Sequence, residues 1–387
     1  VVARQRVLFA ITVYNGRDFV PECLRSAAAM DPEHAEVDLL VLDDASPEPG
    51  FSEDIAALCS ELGILYYRTP RNLGIPRNVN MGLLRAMDQN YDQVVIANSD
   101  VVFAGNLVDE MLRTLASDSS IGSVTSWSNN VSMFSLPNED PDRFLANQRV
   151  VDWLGEVLSA TFAGRAVDLP AGISFSFMVP VPVLREVGLM DPIFGRGYCE
   201  ETDWSLRSLE SGYRIALGVS CFTYHRGGGT NVAAGLVSAG HTTVPEHEEI
   251  IDFRYPEFRK QVADFVYSGT LEAASKEATE AIIKAGAQQF GYRIVMETTT
   301  SHALEDGPAI LLIPNTLGLS AEAFFLGFRL EIVPVGAQVM ERIEEYFGHG
   351  PRVVDVLDPF IPLIDTKTLK GRVGRNDGSR AGHSSNV

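Results

Sequence analysis

Residues 198–207 read YCEETDWSLR. Three acids, Glu200, Glu201 and Asp203, fall within four positions, and Trp204 follows directly. Acids in the first turn of a helix complement its dipole, worth about 0.3–1 kcal/mol each. That accounts for one or two of them. Three crowded acids also repel one another, which raises at least one pKa and suits a general base working near neutral pH. The preceding FGRGY stretch is rich in glycine, as a tight approach to such a group requires.

Other polar groups gather at the ends of apolar runs. VLFAITV (7–13) leads into YNG, VDLLVLDD (37–44) into ASPE, ILYY (64–67) toward RNLGIPRN, and QVVIANSD (93–100) ends in Asn-Ser-Asp. These runs read as buried strands. Segments 18–29, 52–62 and 75–89 read as the helices between them. Such alternation predicts a mostly parallel sheet with helices on both faces. Ligands of open α/β sheets bind at the carboxyl ends of the strands, where these polar clusters stand. A second block predicts a strand near 172–179, a helix at 200–211, and strands at 213–218 and 220–224. A polar, glycine-containing loop is expected over 226–245.

Five of these motifs occur together and in order: TVYNG, VLDDASP, RNLGIPRNVN, NSD and FGRGYCEETDWSLR with a later CFTYHRGGGT. In this the chain resembles glycosyltransferase family 2 across about 1–230. The resemblance implies a GT-A-like open mixed sheet, a nucleotide-diphosphate sugar donor, a divalent cation and inversion at the anomeric carbon. It makes Asp100 a metal ligand, with Ser99 beside it among the donor-binding residues. The family usually has Asp-x-Asp here, and this chain has Asn98 at the first place. It makes His225, ahead of three glycines, a second ligand. Asp43 and Asp44 are expected at the base and ribose, with Thr12 and Tyr14 walling the nucleotide pocket; the family tends to have proline at position 12. Gly74 and Arg77 open a helix whose N-terminus favours the diphosphate. The family's Glu-Asp pair aligns with Glu200 and Glu201, so Glu201 is the expected base and Asp203 its rival. Trp204 is either a core side chain or an apolar face for an acceptor sugar, and Trp127 is a weaker candidate for the same task. The implied partners are a UDP- or dTDP-linked donor and a glycan or glycosylated acceptor, in polysaccharide biosynthesis.

The bulk numbers set limits. The 387 residues carry a formal charge of −20. That argues against a nucleic-acid binder and requires a local cation wherever an anionic substrate docks. Four scattered cysteines form no Cys-x-x-Cys pair, so reduced thiols are expected. No uncharged apolar run is long enough for a membrane span, and no signal-peptide pattern is present. The expectation is a cytoplasmic protein, with a homo-oligomer as an option. Residues 231–290 read as a loop and helical connector. Residues 291–366 read as a second, smaller α/β unit, with strands at YRIVME, AILLIP, RLEIVP and RVVDVL and helices at 318–327 and 336–346. The tail, 367–387, is too poor in apolar residues to be expected to fold.

Overall fold

The structure is a computed structural model describing residues 4–131, 133–227, 244–296, 309–315, 318–335 and 339–356. The chain divides into two units, one of residues 1–136 and 141–278, the other of 137–140 and 279–387. The stretch expected as a connector is therefore divided between them. The expected tail lies outside the described residues.

The first unit is built on a nine-stranded mixed sheet. Strands β1 (Gln5–Val13), β2 (Ala35–Asp43), β3 (Leu65–Arg68) and β4 (Gln93–Ala97) run parallel. Helices α1 (Val20–Ala28), α2 (Phe51–Leu62) and α3 (Ile75–Asp88) connect them. Val7, Leu8, Phe9, Ala10 and Ile11 are all 0% exposed. A strand covered on both faces has no polar side, so its sequence is a continuous apolar run. Then follow β5 (Val101–Phe103), α4 (Leu107–Ser117), β6 (Ile121–Trp127), the single turn α5 (Pro141–Phe144), α6 (Gln148–Phe162), β7 (Ala166–Asp168), β8 (Ser176–Pro180) and α7 (Val181–Val187). After a 3₁₀ turn (Pro192–Phe194) come α8 (Glu200–Glu210), β9 (Arg214–His225), α9 (Pro245–Arg254), α10 (Phe258–Tyr267) and α11 (Thr270–Phe290), whose residues from Thr279 on belong to the second unit.

The sheet order is β3-β2-β1-β4-β8-β6-β9-β5, with β7 also on β9. β8 runs antiparallel to β4 and β6, and β5 antiparallel to β9. The expected open mixed sheet is present. Two readings are corrected in detail. The run 93–100 is not one strand, because the chain leaves the sheet after Ala97 and re-enters beside β9 at Val101. The two strands expected at 213–218 and 220–224 are the single strand β9. A small core of Ala171, Phe194, Leu206, Ile251 and Phe258 joins α8 to α9 and α10.

Among its described residues the second unit has a five-stranded sheet ordered β13-β12-β11-β10-β14. Its strands are β10 (Arg293–Met296), β11 (Ala309–Asn315), β12 (Gly318–Phe325), β13 (Phe328–Val335) and β14 (Val353–Val356), with helix α12 (Val339–Phe347) before the last. The helix expected at 318–327 is wrong: this is β12, antiparallel to both β11 and β13. Leu326 and Gly327, at φ 51° and 77°, close a two-residue hairpin onto β13. Positive φ at both central residues is the turn that matches the twist of paired strands.

Candidate active site

Register places the first pair of candidate groups. In the antiparallel pairing of β5 with β9, Val101 lies opposite His225. Asp100, one residue earlier, accepts a backbone hydrogen bond from Arg226 at 2.9 Å. His225 Nε2 stands 3.3 Å from Asp100 Oδ1. Asp100 is 3% exposed. Two residues 125 apart in sequence thus face each other at the end of the sheet. The other ring nitrogen, Nδ1, lies 2.8 Å from the Asn130 carbonyl. A carbonyl only accepts, so Nδ1 carries a hydrogen, and Nε2 is the nitrogen that faces the carboxylate. Phe175 stacks on the ring at 5.6 Å. Burial disfavours the charged ring, but the hydrogen bond and charge of Asp100, with the Asn130 carbonyl, outweigh it and hold the His225 pKa above its ordinary value. A positive charge between these two groups is therefore favoured, whether a proton or a metal ion.

The pair fits a divalent cation in chemistry and span. Adjacent ligands of an octahedral ion with bonds of about 2.1 Å lie about 3 Å apart. Among the described residues no group of three or more His, Cys, Asp and Glu side chains converges as a metal site. An ion here would draw its remaining ligands from phosphate and water, as hard cations at nucleotide sites do.

The expected donor-side residues divide into two kinds. Asp43 is 0% exposed and committed. Its Oδ1 accepts from the Ser46 backbone at 2.9 Å, and its Oδ2 from Ser52 and Tyr66 hydroxyls, both at 2.6 Å. Burial opposes its charge, but these donors outweigh burial and bring its pKa below the usual value. Asp44 accepts from Thr69, from Leu73 N–H at 2.7 Å and from Gly74 N–H at 2.9 Å. It thereby fixes the loop that opens α3. Both aspartates lie at the expected strand end, with their oxygens engaged by protein donors. Thr12 donates to the Ala97 carbonyl at 3.3 Å. Tyr14 is half-buried, Arg77 exposed and Ser99 buried.

Gly74 has φ +80°, and a Cβ there would meet the Gly195 carbonyl oxygen at 2.0 Å. The RNLG loop therefore lies directly on the FGRGY loop ahead of the acid helix, with Ile75 N–H bonded to Arg196 O. Tyr198 and Cys199 both adopt left-handed backbone, at φ 73° and 74°. For residues other than glycine this costs about 1–3 kcal/mol each. The turn is held from outside by His247, whose Nδ1 lies 2.9 Å from Gly197 O and whose ring meets Phe194 edge-on.

The three acids then take different surroundings. Glu200 is buried, and Glu200 Oε2 and Glu201 Oε2 have no hydrogen-bond partner among the described residues. Burial raises both pKa values, and the neighbouring Glu201 charge lifts Glu200 further. Both acids therefore favour the protonated form, and two buried carboxylates side by side disfavour carrying two charges at once. Asp203, 0% exposed, is engaged by Arg207 at 2.9 Å, Arg254 at 2.7 Å and the Tyr255 hydroxyl at 3.0 Å. With two guanidiniums and a phenol on its oxygens it anchors α9 to α8, and its expected rivalry as base is corrected. Trp204 is 0% exposed, packed edge-on to Phe177, with its indole N–H on Gly188 O. It is a core residue and cannot stack on an acceptor. Trp127, also 0% exposed, is corrected in the same way.

Asn129 and Asn130 were missed. Asn129 hydrogen-bonds both backbone groups of His225, and Asn130 receives its ring nitrogen. The only signal in the sequence is a pair of adjacent asparagines.

Comparison with curated proteins gives no match. Among solved structures, similar chains include GalNAc-T7 with UDP, GalNAc and Mn²⁺ (12% identity, 57% of this chain and 44% of that chain, TM-score 0.44). A mannosyltransferase from Pyrobaculum calidifontis in complex with GDP-Man and Mn²⁺ shows 14% identity over 74% of this chain and 77% of its own, with TM-score 0.42. S. aureus TarS shows 14% identity over 73% and 43%, with TM-score 0.40. The chain thus spans less than half the length of the first and third. The glycosyl transferase family 2 model matches residues 9–169 and ends ahead of the acid helix and of His225. Over that stretch, which takes in most of β1 through β7, the chain is similar to glycosyl transferase family 2.

Proposed function

We propose that the protein is a metal-dependent, inverting glycosyltransferase, moving a sugar from a UDP- or dTDP-linked donor to a hydroxyl of a growing glycan or other glycosylated acceptor. The observation that carries the metal-dependent reading is the approach of His225 Nε2 to Asp100 Oδ1 at 3.3 Å. When bound, Mn²⁺ or Mg²⁺ there would neutralise charge on the diphosphate as it leaves. Asp100 and His225 would hold it. A chain with formal charge −20 otherwise repels such a donor.

Glu201 supplies the base. The acceptor hydroxyl gives its proton to the Glu201 carboxylate as its oxygen forms a bond to the anomeric carbon. The bond from that carbon to the phosphate oxygen breaks on the opposite face, and the nucleoside diphosphate leaves with the electron pair. The sugar's configuration inverts. Charge at the anomeric centre resembles that of glycoside hydrolysis. Glu200, holding its proton beside Glu201, keeps the pair from carrying two buried charges.

The test is a thermal-shift panel of nucleotide sugars with Mn²⁺, followed by release of nucleoside diphosphate from the best binder. A ligand at 100 times its Kd adds about 2.7 kcal/mol of stability. UDP- or dTDP-sugars should shift melting and be slowly hydrolysed. Binding without any turnover, with or without glycan acceptors, would make the protein a non-catalytic nucleotide or glycan binder.

A further inference from the structure

We propose that Asn129 is a positioning residue of the cation site, fixing His225 so that its Nε2 faces Asp100. The proposal rests on the metal-binding reading of Asp100 and His225. The parallel pairing of β6 with β9 ends at Trp127 and Phe222. β9 runs three residues further, and on that side β6 no longer supplies a backbone partner. Asn129 takes its place with a side chain. Its Oδ1 accepts from His225 N–H at 2.8 Å, and its Nδ2 donates to His225 C=O at 2.9 Å. One amide thus imitates a ladder pair at the residue whose ring matters. On the other edge β5 closes the strand, with Val101 opposite His225.

The next residue orients the ring. The Asn130 carbonyl accepts from Nδ1 at 2.8 Å, which turns Nε2 toward Asp100 as the nitrogen free to ligate a cation. The Asn130 side chain donates to Arg226 O at 3.3 Å. Gly227, at φ +80°, has no room for a side chain: a Cβ would stand 1.9 Å from Asn130 Nδ2. The loop is itself held, by Leu136 N–H on Ser128 O at 2.7 Å and by Ser135 Oγ on Val131. Phe134 packs behind Phe175, which stacks on the imidazole. The loop after β6 and the end of β9 are fitted around one ring orientation.

The experiment is Mn²⁺ titration of the full chain with UDP, read from the free-ion paramagnetic resonance signal, for wild type, Asn129→Ala, His225→Ala and the double variant. Asn129→Ala should weaken Mn²⁺ binding by about 10–100-fold, the usual effect of removing a group that orients a ligand. The double variant should bind no more weakly than His225→Ala, since Asn129 acts through that ring. Unchanged Mn²⁺ affinity in Asn129→Ala, with affinity lost in His225→Ala, overturns the proposal and leaves the metal reading standing. Unchanged affinity in His225→Ala overturns both. A second measurement needs no Asn129 variant to fold. Nitrogen spectra of wild-type protein with Zn²⁺ and UDP, the His225 signals assigned by their loss in His225→Ala, should show the ring hydrogen on Nδ1. Hydrogen on Nε2 overturns the proposal.

Discussion

Glu201 and Asp203 sit two positions apart on one helix, yet their surroundings differ: two guanidiniums and a phenol engage Asp203, while Glu201 Oε2 has no hydrogen-bond partner among the described residues. Glu201→Gln keeps the side chain's size, so it should lower turnover by about 10²–10⁴-fold while nucleotide affinity stays nearly unchanged. Asp203→Asn should do the reverse. It should cost about 1–3 kcal/mol of stability, because both guanidiniums retain access to water, and should change turnover of the folded protein less than tenfold. Steady-state kinetics and melting of the two variants check this; loss of transfer in Asp203→Asn alone would return the base to Asp203. The pH dependence follows from the raised pKa values of the glutamates. Turnover should rise with pH as Glu201 ionises, at a pH above the ordinary glutamate range. Stability should move the other way. The folded state holds the Glu200 proton above pH 4.5 where the unfolded chain releases it, so stability falls as pH rises from there. Glu200→Gln should therefore melt higher than wild type at pH 8 by more than it does at pH 5. The acids were legible in the sequence as types and spacing. Their division of labour was not, because Arg254 and Tyr255 come from a helix some 50 positions on. Trp127 was misjudged and Trp204 left open for a similar reason: an indole in sequence carries no sign of its burial.

At the scale of elements, two glycine loops packed on each other position the acid helix. Gly74→Ala would drive a methyl into the Gly195 carbonyl at a φ of +80°. It should cost more than the about 1–3 kcal/mol of backbone strain alone and should impair transfer. Gly63→Ala is the control, with φ +72° and nothing within 4 Å of its Cβ; it should show the strain cost with activity intact. Equal effects in melting and activity would mean that the loop contact does not position the site. The parallel strands β1, β2 and β4 could be read directly, because burial on both faces writes them as apolar runs. β6, IGSVTSW, was not read: its serines and threonine are buried at 0% exposure and hydrogen-bonded or packed in the sheet, against the usual preference. β12 was read as a helix because GLSAEAFF is rich in helix formers, and pairing on both sides overrode that propensity. The hairpin turn at Leu326–Gly327 carries a leucine where Asn or Asp would have signalled it.

For the whole molecule, the first unit carries every candidate site residue, and the second carries none of them. Among the described residues no helix is long and apolar enough to cross a membrane. The net charge of −20 makes the central claim a question of electrostatics. A nucleoside diphosphate should approach this protein only where a cation compensates both its own charge and that of Asp100. The most direct measurement is calorimetric titration of UDP and dTDP into the full chain, in Mn²⁺ and in EDTA, repeated with Asp100→Ala. Binding should require Mn²⁺ and be lost in the variant. Equal affinity in EDTA, or a variant that binds as the wild type does, would contradict it.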